Sequence, residues 1–192
     1  MGDSNPLEIL QNSLLGAPII WKGDYPYFIH PISDGIPRME ANVLRATRDL
    51  IIESVDWDKI DLVVSVEAMG LPLLAAVGEA TGKPTVVIRK RTYGMKGEVK
   101  VNVSTGYSES TVYINDILSG ERILIVDDVI STGGTLEPIL QALEEMGVIL
   151  QDIVIAIEKG EGKKRLAEER PNWPIRTLAK IEIINGKVGI IE

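Results

Sequence analysis

Four aliphatic residues in a row, Ile123-Leu124-Ile125-Val126, run directly into Asp127-Asp128-Val129-Ile130 and then Ser131-Thr132-Gly133-Gly134-Thr135. The apolar run is short and mostly β-branched, so it reads as a strand buried on both faces, with other elements covering it above and below. The two acids fall where that strand should end. A helical pattern follows from Leu136 to Met146. Strand, turn and helix in this order put the turn at the carboxyl edge of a sheet, where α/β folds bind ligands.

The residue types in the turn specify the chemistry. Gly133 and Gly134 carry no Cβ, so the backbone can fold tightly and approach a ligand closely. Amides at the start of a helix converge on an anion, helped by the helix dipole. Ser131, Thr132 and Thr135 add hydroxyl donors. This is a cup for a single phosphate; the Gly-Lys-Ser/Thr ending of a triphosphate loop is missing. Asp127 and Asp128 would repel a phosphate, so they should meet another part of the ligand, either sugar hydroxyls or a magnesium ion carried with them. The plainer reading is a buried strand with a capping turn and two solvated acids, but such a cap does not require this many hydroxyls and glycines.

Composition narrows the function classes. A chain of 192 residues is one domain by the length prior, with a small appendage. A net charge of -8 gives no footprint for nucleic acid. With no cysteine there is no disulfide and no thiolate metal site, which fits a cytoplasmic protein. No apolar run is long enough to span a bilayer, so no membrane contact is expected.

The remaining pattern is α/β. Residues 7–15 form an amphipathic helix behind Ser4-Asn5-Pro6. Short strands at 19–21 and 27–29 flank a turn, and 30–37 is a loop carrying the only histidine, His30, read as a structural hinge residue. A helix over 40–55 and a buried strand over 61–66 follow. Glu67-Ala68-Met69-Gly70 then leads to a helix from Leu73 to about Ala80, stopped by Gly82. A strand over 84–88 ends in Arg89-Lys90-Arg91. From 92 to 110 glycines interrupt a polar stretch, which reads as a loop of lid type, with 111–114 as its returning strand. A strand over 149–157, a charged helix over 163–170 and a strand over 175–184 complete the core. Asn185-Gly186 is a hairpin signal joining 181–184 to 188–191, an edge that a partner subunit could cover.

The stretch Ile123 to Thr135 resembles the phosphoribosyl-pyrophosphate signature of the type I phosphoribosyltransferases. Over nearly its whole length the chain is similar to the archaeal-type hypoxanthine/guanine members, which sit close to the adenine enzymes. The resemblance implies the type I phosphoribosyltransferase fold: a central, mostly parallel sheet flanked by helices, a flexible lid loop and a small N-terminal hood. It divides the chain into a helix and base-covering hood (1–38) and a core (39–192) containing the lid (92–110) and a C-terminal hairpin (181–191). It further implies a homodimer, magnesium, and phosphoribosyl pyrophosphate with a free purine base as substrates.

Carried onto matching positions, the resemblance gives Asp127 and Asp128 the ribose hydroxyls and Ser131, Thr132, Gly133, Gly134 and Thr135 the 5-phosphate. Glu67, Ala68, Met69 and Gly70 resemble the pyrophosphate loop. Arg89, with Lys90 beside it, lies where a diphosphate needs neutralising. Tyr107 matches a lid tyrosine, and Phe28 matches an aromatic that lies against the base. Ile157 is placed to press on a purine face, and Lys159 to donate to a 6-oxo group. There are two departures from the pattern. Adenine-specific members have a glutamate before the lid tyrosine, where this chain has Gly106. Many hypoxanthine-guanine members have an acid at the position of Ser131, so no general acid or base is assigned. The expected reaction is purine salvage, giving inosinate or guanylate. Two alternatives stay open: an adenine transferase on the same scaffold, and a non-catalytic sensor of the donor.

Overall fold

The computed structural model describes residues 5–23, 25–105 and 108–191. In chain order the elements are α1 (Pro6–Leu15), β1 (Ile19–Lys22), β2 (Tyr25–Phe28), α2 (Pro31–Asp34), α3 (Ala41–Glu53), β3 (Leu62–Val66), α4 (Gly70–Thr81), β4 (Thr85–Ile88), β5 (Val99–Thr105) and β6 (Ser108–Ile114). They continue with β7 (Arg122–Ile130), α5 (Leu136–Glu145), β8 (Ile149–Lys159), α6 (Gly162–Glu169), β9 (Ile175–Ile184) and β10 (Lys187–Ile191). A single 3₁₀ turn at Trp57–Lys59 leads into β3.

The main sheet has the order β10-β9-β8-β7-β3-β4. All its neighbours are parallel except β10, which folds back on β9 through Asn185-Gly186, both at positive φ as a tight hairpin turn requires. The chain proceeds from β3 outward to β4, and from β7 in the opposite direction to β8 and β9. The order therefore reverses between β3 and β7, and that crevice, at the carboxyl ends of the strands, is where open α/β sheets bind ligands.

Successive side chains in a strand point to opposite faces, and this sheet is covered on both. Ile123, Ile125, Ile153 and Ile155 pack with Leu136, Ile139, Leu140 and Leu143 of α5. Leu124, Val126 and Val154 pack with α1, α3 and α4 through Leu10, Leu14, Ile51, Leu73 and Val77. The phase slips at the acid pair: Val126 and Val129, three apart, pack into the same layer. α1 belongs to this second layer, against α3, β9 and β10.

Several sequence expectations are corrected. β7 does not stop before the acids but continues through them to Ile130, paired with β8 at Asp127–Ile155, Val129–Ile157 and Ile130–Glu158. The helix expected from Leu73 begins at Gly70. The stretch read as an irregular lid is largely a two-stranded hairpin, β5 against β6. Its signal was present: Val99, Val101 and Val103 alternate with Lys100, Asn102 and Ser104, and the buried valines join the α5 layer.

The loop expected at 30–37 contains the short helix α2, and His30 is its cap. His30 Nδ1 accepts from the Ile32 amide at 3.2 Å, and Nε2 lies 3.1 Å from Ser13 Oγ, to which it donates in that tautomer. The ring is 1% exposed, and burial pushes its pKa down to about 4 against the opposing pull of Asp34. A histidine lowered from its ordinary 6.5 favours folding above that value and loses the contribution as pH falls towards 4, up to about 3 kcal/mol in all. Between pH 4.5 and 7, the change in stability of His30→Gln by urea unfolding should therefore be less favourable than that of the parent protein. Equal changes would show that His30 does not titrate on unfolding.

Candidate active site

The crevice between β3 and β7 collects three loops, one from each carboxyl end of β7, β3 and β4. The first is the turn after β7. Its amides at Thr132, Gly133 and Thr135 donate to no other group among the described residues, and only the Gly134 amide is engaged, with Thr132 Oγ1 at 3.3 Å. Gly133 has φ +82°, a conformation that glycine adopts without strain. The turn is therefore an open set of donors at the start of α5.

Asp127 reaches towards the second loop. A methyl added at Gly70 would lie 2.8 Å from Asp127 Oδ1 and 1.8 Å from Ser65 Oγ, so only glycine lets α4 begin this close to the acid. Burial is the largest influence on Asp127 and raises its pKa to about 6; the Asp128 carboxyl, able to donate to it, and the charge of Lys90 pull it back. Asp128 is pushed well above the ordinary carboxylate range, first by burial and then by the Asp127 charge. Two carboxyls this close do not both ionise readily without a partner. Hydroxyl groups or a cation would restore their charged form.

Glu67 ties the second loop to the third. Its Oε1 accepts from the Lys90 amide at 2.8 Å, and its Oε2 lies 2.5 Å from Arg89 Nε in an ion pair without hydrogen-bond alignment. The Glu67–Ala68 peptide is cis. The Met69 side chain packs beside Gly35, just after α2. Arg89 also exchanges backbone hydrogen bonds with Tyr113 of β6 at 3.1 and 2.7 Å, so the hairpin is anchored at the tip of β4. The other anchor is the turn after β7: the Ser104 amide donates to the Gly134 carbonyl at 3.1 Å.

The structure brings Asp127, Asp128, Ser131 to Thr135, Glu67 to Gly70, Arg89 and Lys90 to one edge. Phe28 and Ile157 lie elsewhere. Phe28 is buried in the second layer, and Lys159 Nζ sits 5.7 Å above its ring while donating to the Pro26 carbonyl at 2.8 Å. Ile157 was expected at a strand end. β8 instead runs on to Lys159, so Ile157 sits between Val129 and Ala179 with no exposed surface and offers no face to a purine. Tyr107 lies outside the described residues. Sequence reasoning overlooked Ser104, Gly162 and Arg165, all of which touch the turn after β7. Only Ser104 had a usable signal, the alternating valines of its strand.

No three His, Cys, Asp or Glu side chains cluster to enclose a metal among the described residues, and no helix there is long and apolar enough to cross a membrane.

A family model described as a phosphoribosyl transferase domain matches residues 34–177. The chain is 48% identical over 183 residues to a hypoxanthine/guanine phosphoribosyltransferase of Methanotorris igneus, covering 95% of this chain and all (100%) of that protein. It is 48% identical over 186 residues to one of Methanohalophilus mahii, covering 97% and 96%. Among solved structures it resembles an adenine phosphoribosyltransferase from Thermoanaerobacter pseudethanolicus, with a TM-score of 0.73 and 23% identity over 91% of this chain and 99% of that one. A second adenine phosphoribosyltransferase, from Saccharomyces cerevisiae, gives a TM-score of 0.74 at 22% identity over 90% and 98%. The sheet order that opens the crevice, the donor-lined turn beneath it and the near full-length kinship agree: the chain belongs to the phosphoribosyltransferase family.

Proposed function

We propose that this protein transfers ribose 5-phosphate from phosphoribosyl pyrophosphate to a ring nitrogen of hypoxanthine, and of guanine, releasing pyrophosphate and giving IMP or GMP. The observation that carries this reading is the 48% identity to hypoxanthine/guanine enzymes across nearly the whole of both chains. In the reaction the carbon–oxygen bond to the leaving diphosphate loosens, positive charge builds on the sugar carbon, and the purine nitrogen attacks. Such a reaction is accelerated by positioning and electrostatics. Asp127 and Asp128 hold the ribose hydroxyls, and their charge faces the developing cation. Ser131 to Thr135 grip the 5-phosphate through hydroxyls and amides. The loop Glu67 to Gly70, with Arg89 and Lys90, receives the diphosphate. Residues up to about 38 cover the base, and the lid over 92–110, to which Tyr107 belongs by resemblance, closes over the donor to exclude water.

Magnesium fits this donor set. It is commonly held by one or two carboxylates together with substrate phosphates rather than by an all-protein cage, and Asp127 and Asp128 supply the carboxylates. Bound there, it would neutralise the diphosphate. The protein functions in the cytoplasm as a homodimer on this reading, which is consistent with the open edge of β10.

Lys159, which also donates to the Pro26 carbonyl, carries an ammonium that donates and cannot accept, a chemistry matched to a 6-oxo group and opposed to the amino group of adenine. The solved structures it resembles are adenine enzymes, but at 23% identity they speak for the fold alone. A panel of free bases assayed with the donor decides the matter. Hypoxanthine should turn over best, guanine next, and adenine with kcat/KM at least about 100-fold lower. Adenine turning over as well as hypoxanthine would make this an adenine enzyme. Donor binding with no turnover on any base would make it a sensor.

A further inference from the structure

The phosphate turn is held from behind. Its peptide bonds are trans, since the described chain is cis only at Ile36–Pro37 and Glu67–Ala68. In a planar trans peptide the carbonyl and the following N–H point in opposite directions. Whatever grips a carbonyl of the turn therefore aims the next amide the other way. All four carbonyls from Ser131 to Gly134 are gripped. Ser131 O accepts from the Gly162 amide at 2.8 Å, Gly133 O from the Glu137 amide at 2.9 Å and Gly134 O from the Ser104 amide at 3.1 Å. The fourth, Thr132 O, accepts from the Arg165 guanidinium at 3.2 Å, the one side-chain donor of the set.

Arg165 is well placed for this task. The same Nη2 meets Glu137 at 2.8 Å, and Nη1 meets Glu169 at 2.6 Å, so two carboxylates fix the plane of the guanidinium. Its Nη2 is also among the atoms nearest to where a Gly133 Cβ would lie, at 3.2 Å. The Arg165 charge is thus largely answered on its own side of the turn, leaving orientation of the Thr132–Gly133 peptide as its distinctive contribution.

We propose that Arg165 is a positioning residue for donor binding: by holding the Thr132 carbonyl it turns the Gly133 amide into the 5-phosphate cup, with α6 and β5 serving as the back plate. This rests on the reading of the turn as the 5-phosphate site, and the experiment separates the two. Ribose 5-phosphate is titrated calorimetrically into the parent protein, R165M, R165Q and E169A, with Tm recorded for each and the KM of donor and base measured in parallel.

R165M keeps an unbranched apolar side chain but has no donor, and should bind ribose 5-phosphate about 5- to 30-fold more weakly, as expected for one hydrogen bond to a charged ligand. The donor KM should rise by a similar factor, with kcat at saturating donor and the base KM unchanged. R165Q, with one shorter donor, should fall between R165M and the parent. E169A frees Nη1 but leaves Glu137 on Nη2 and the Thr132 contact in place, so it should lose less affinity than R165M. The deficit should persist at about 0.5 M salt, where attraction at a distance is screened. Parent-like affinity in whichever Arg165 variant folds with the parent Tm overturns the proposal, as does a deficit that vanishes in salt. No binding by the parent protein overturns the phosphate-site reading instead.

Discussion

Replacing Asp127 and Asp128 together with asparagine is expected to leave the protein nearly inactive yet more stable at pH 7.5. Both carboxyls have pKa values raised by burial, Asp127 to about 6 against an ordinary 3.8, and Asp128 further by the charge of Asp127. For an acid raised on folding, the folded state holds the proton more tightly than the unfolded chain. The penalty is absent below the ordinary value of 3.8, grows as pH rises towards 6, and is fully present at neutral pH. Asparagine removes it. The gain for Asp127 alone should be on the order of 2 kcal/mol at pH 7.5 and close to nothing at pH 4. Turnover should fall about 100- to 1,000-fold, the usual cost of losing a preorganised electrostatic contact to the reacting sugar. Urea unfolding at the two pH values and steady-state rates with hypoxanthine give both readings. Turnover within tenfold of the parent would remove these acids from the reaction. An absence of stabilisation at pH 7.5 would mean that they are not strained in the empty site. This slope runs opposite to that of His30 over the same range, so the two partly offset each other in the parent protein.

Gly162→Ala should damage donor binding with no change in any charged or hydroxyl group. An added Cβ would lie 2.3 Å from Ser131 O, 2.6 Å from the Thr132 carbonyl carbon and 2.8 Å from the Gly133 amide nitrogen. All three are backbone atoms and none can rotate aside. Either α6 retreats and releases the Ser131 carbonyl, or the turn opens; in both cases the amides lose their aim. Overpacking of this kind costs about 1–3 kcal/mol, which should appear as a donor KM about 10- to 100-fold higher. Gly82→Ala is the control. Gly82 ends α4 at φ +68° with nothing within 4 Å of an added methyl, so alanine there should cost about 1 kcal/mol of stability and leave the donor KM alone. If the two variants have the same donor KM, α6 does not shape the cup.

The hydrophobic run Ile123 to Val126, the glycine-hydroxyl turn and the helix after it were legible because they are contiguous: one segment carries its own burial pattern, bend and donors. The same holds for the Gly82 helix stop and the Asn185-Gly186 hairpin, whose instructions lie within a few residues. Strand ends were harder to place. Asp127 and Asp128 look like a terminus by composition, yet they pair on within β7 because the neighbouring β8 extends to Lys159 and offers them a ladder. That same extension moved Ile157 from the expected base pocket into the core.

What the chain determines on its own is the make-up of the turn, since a cup of backbone and hydroxyl donors needs only local glycines, hydroxyls and a helix start. What the tertiary structure decides is whether that cup faces outward and what completes it. Arg165 and Gly162 come to the turn from about 30 residues downstream, Ser104 comes from a similar distance upstream, and Glu67 meets Arg89 only because β3 and β4 are neighbours. Such contacts leave no periodic trace, because each depends on the order in which the strands assemble and not on the residues beside it in the chain.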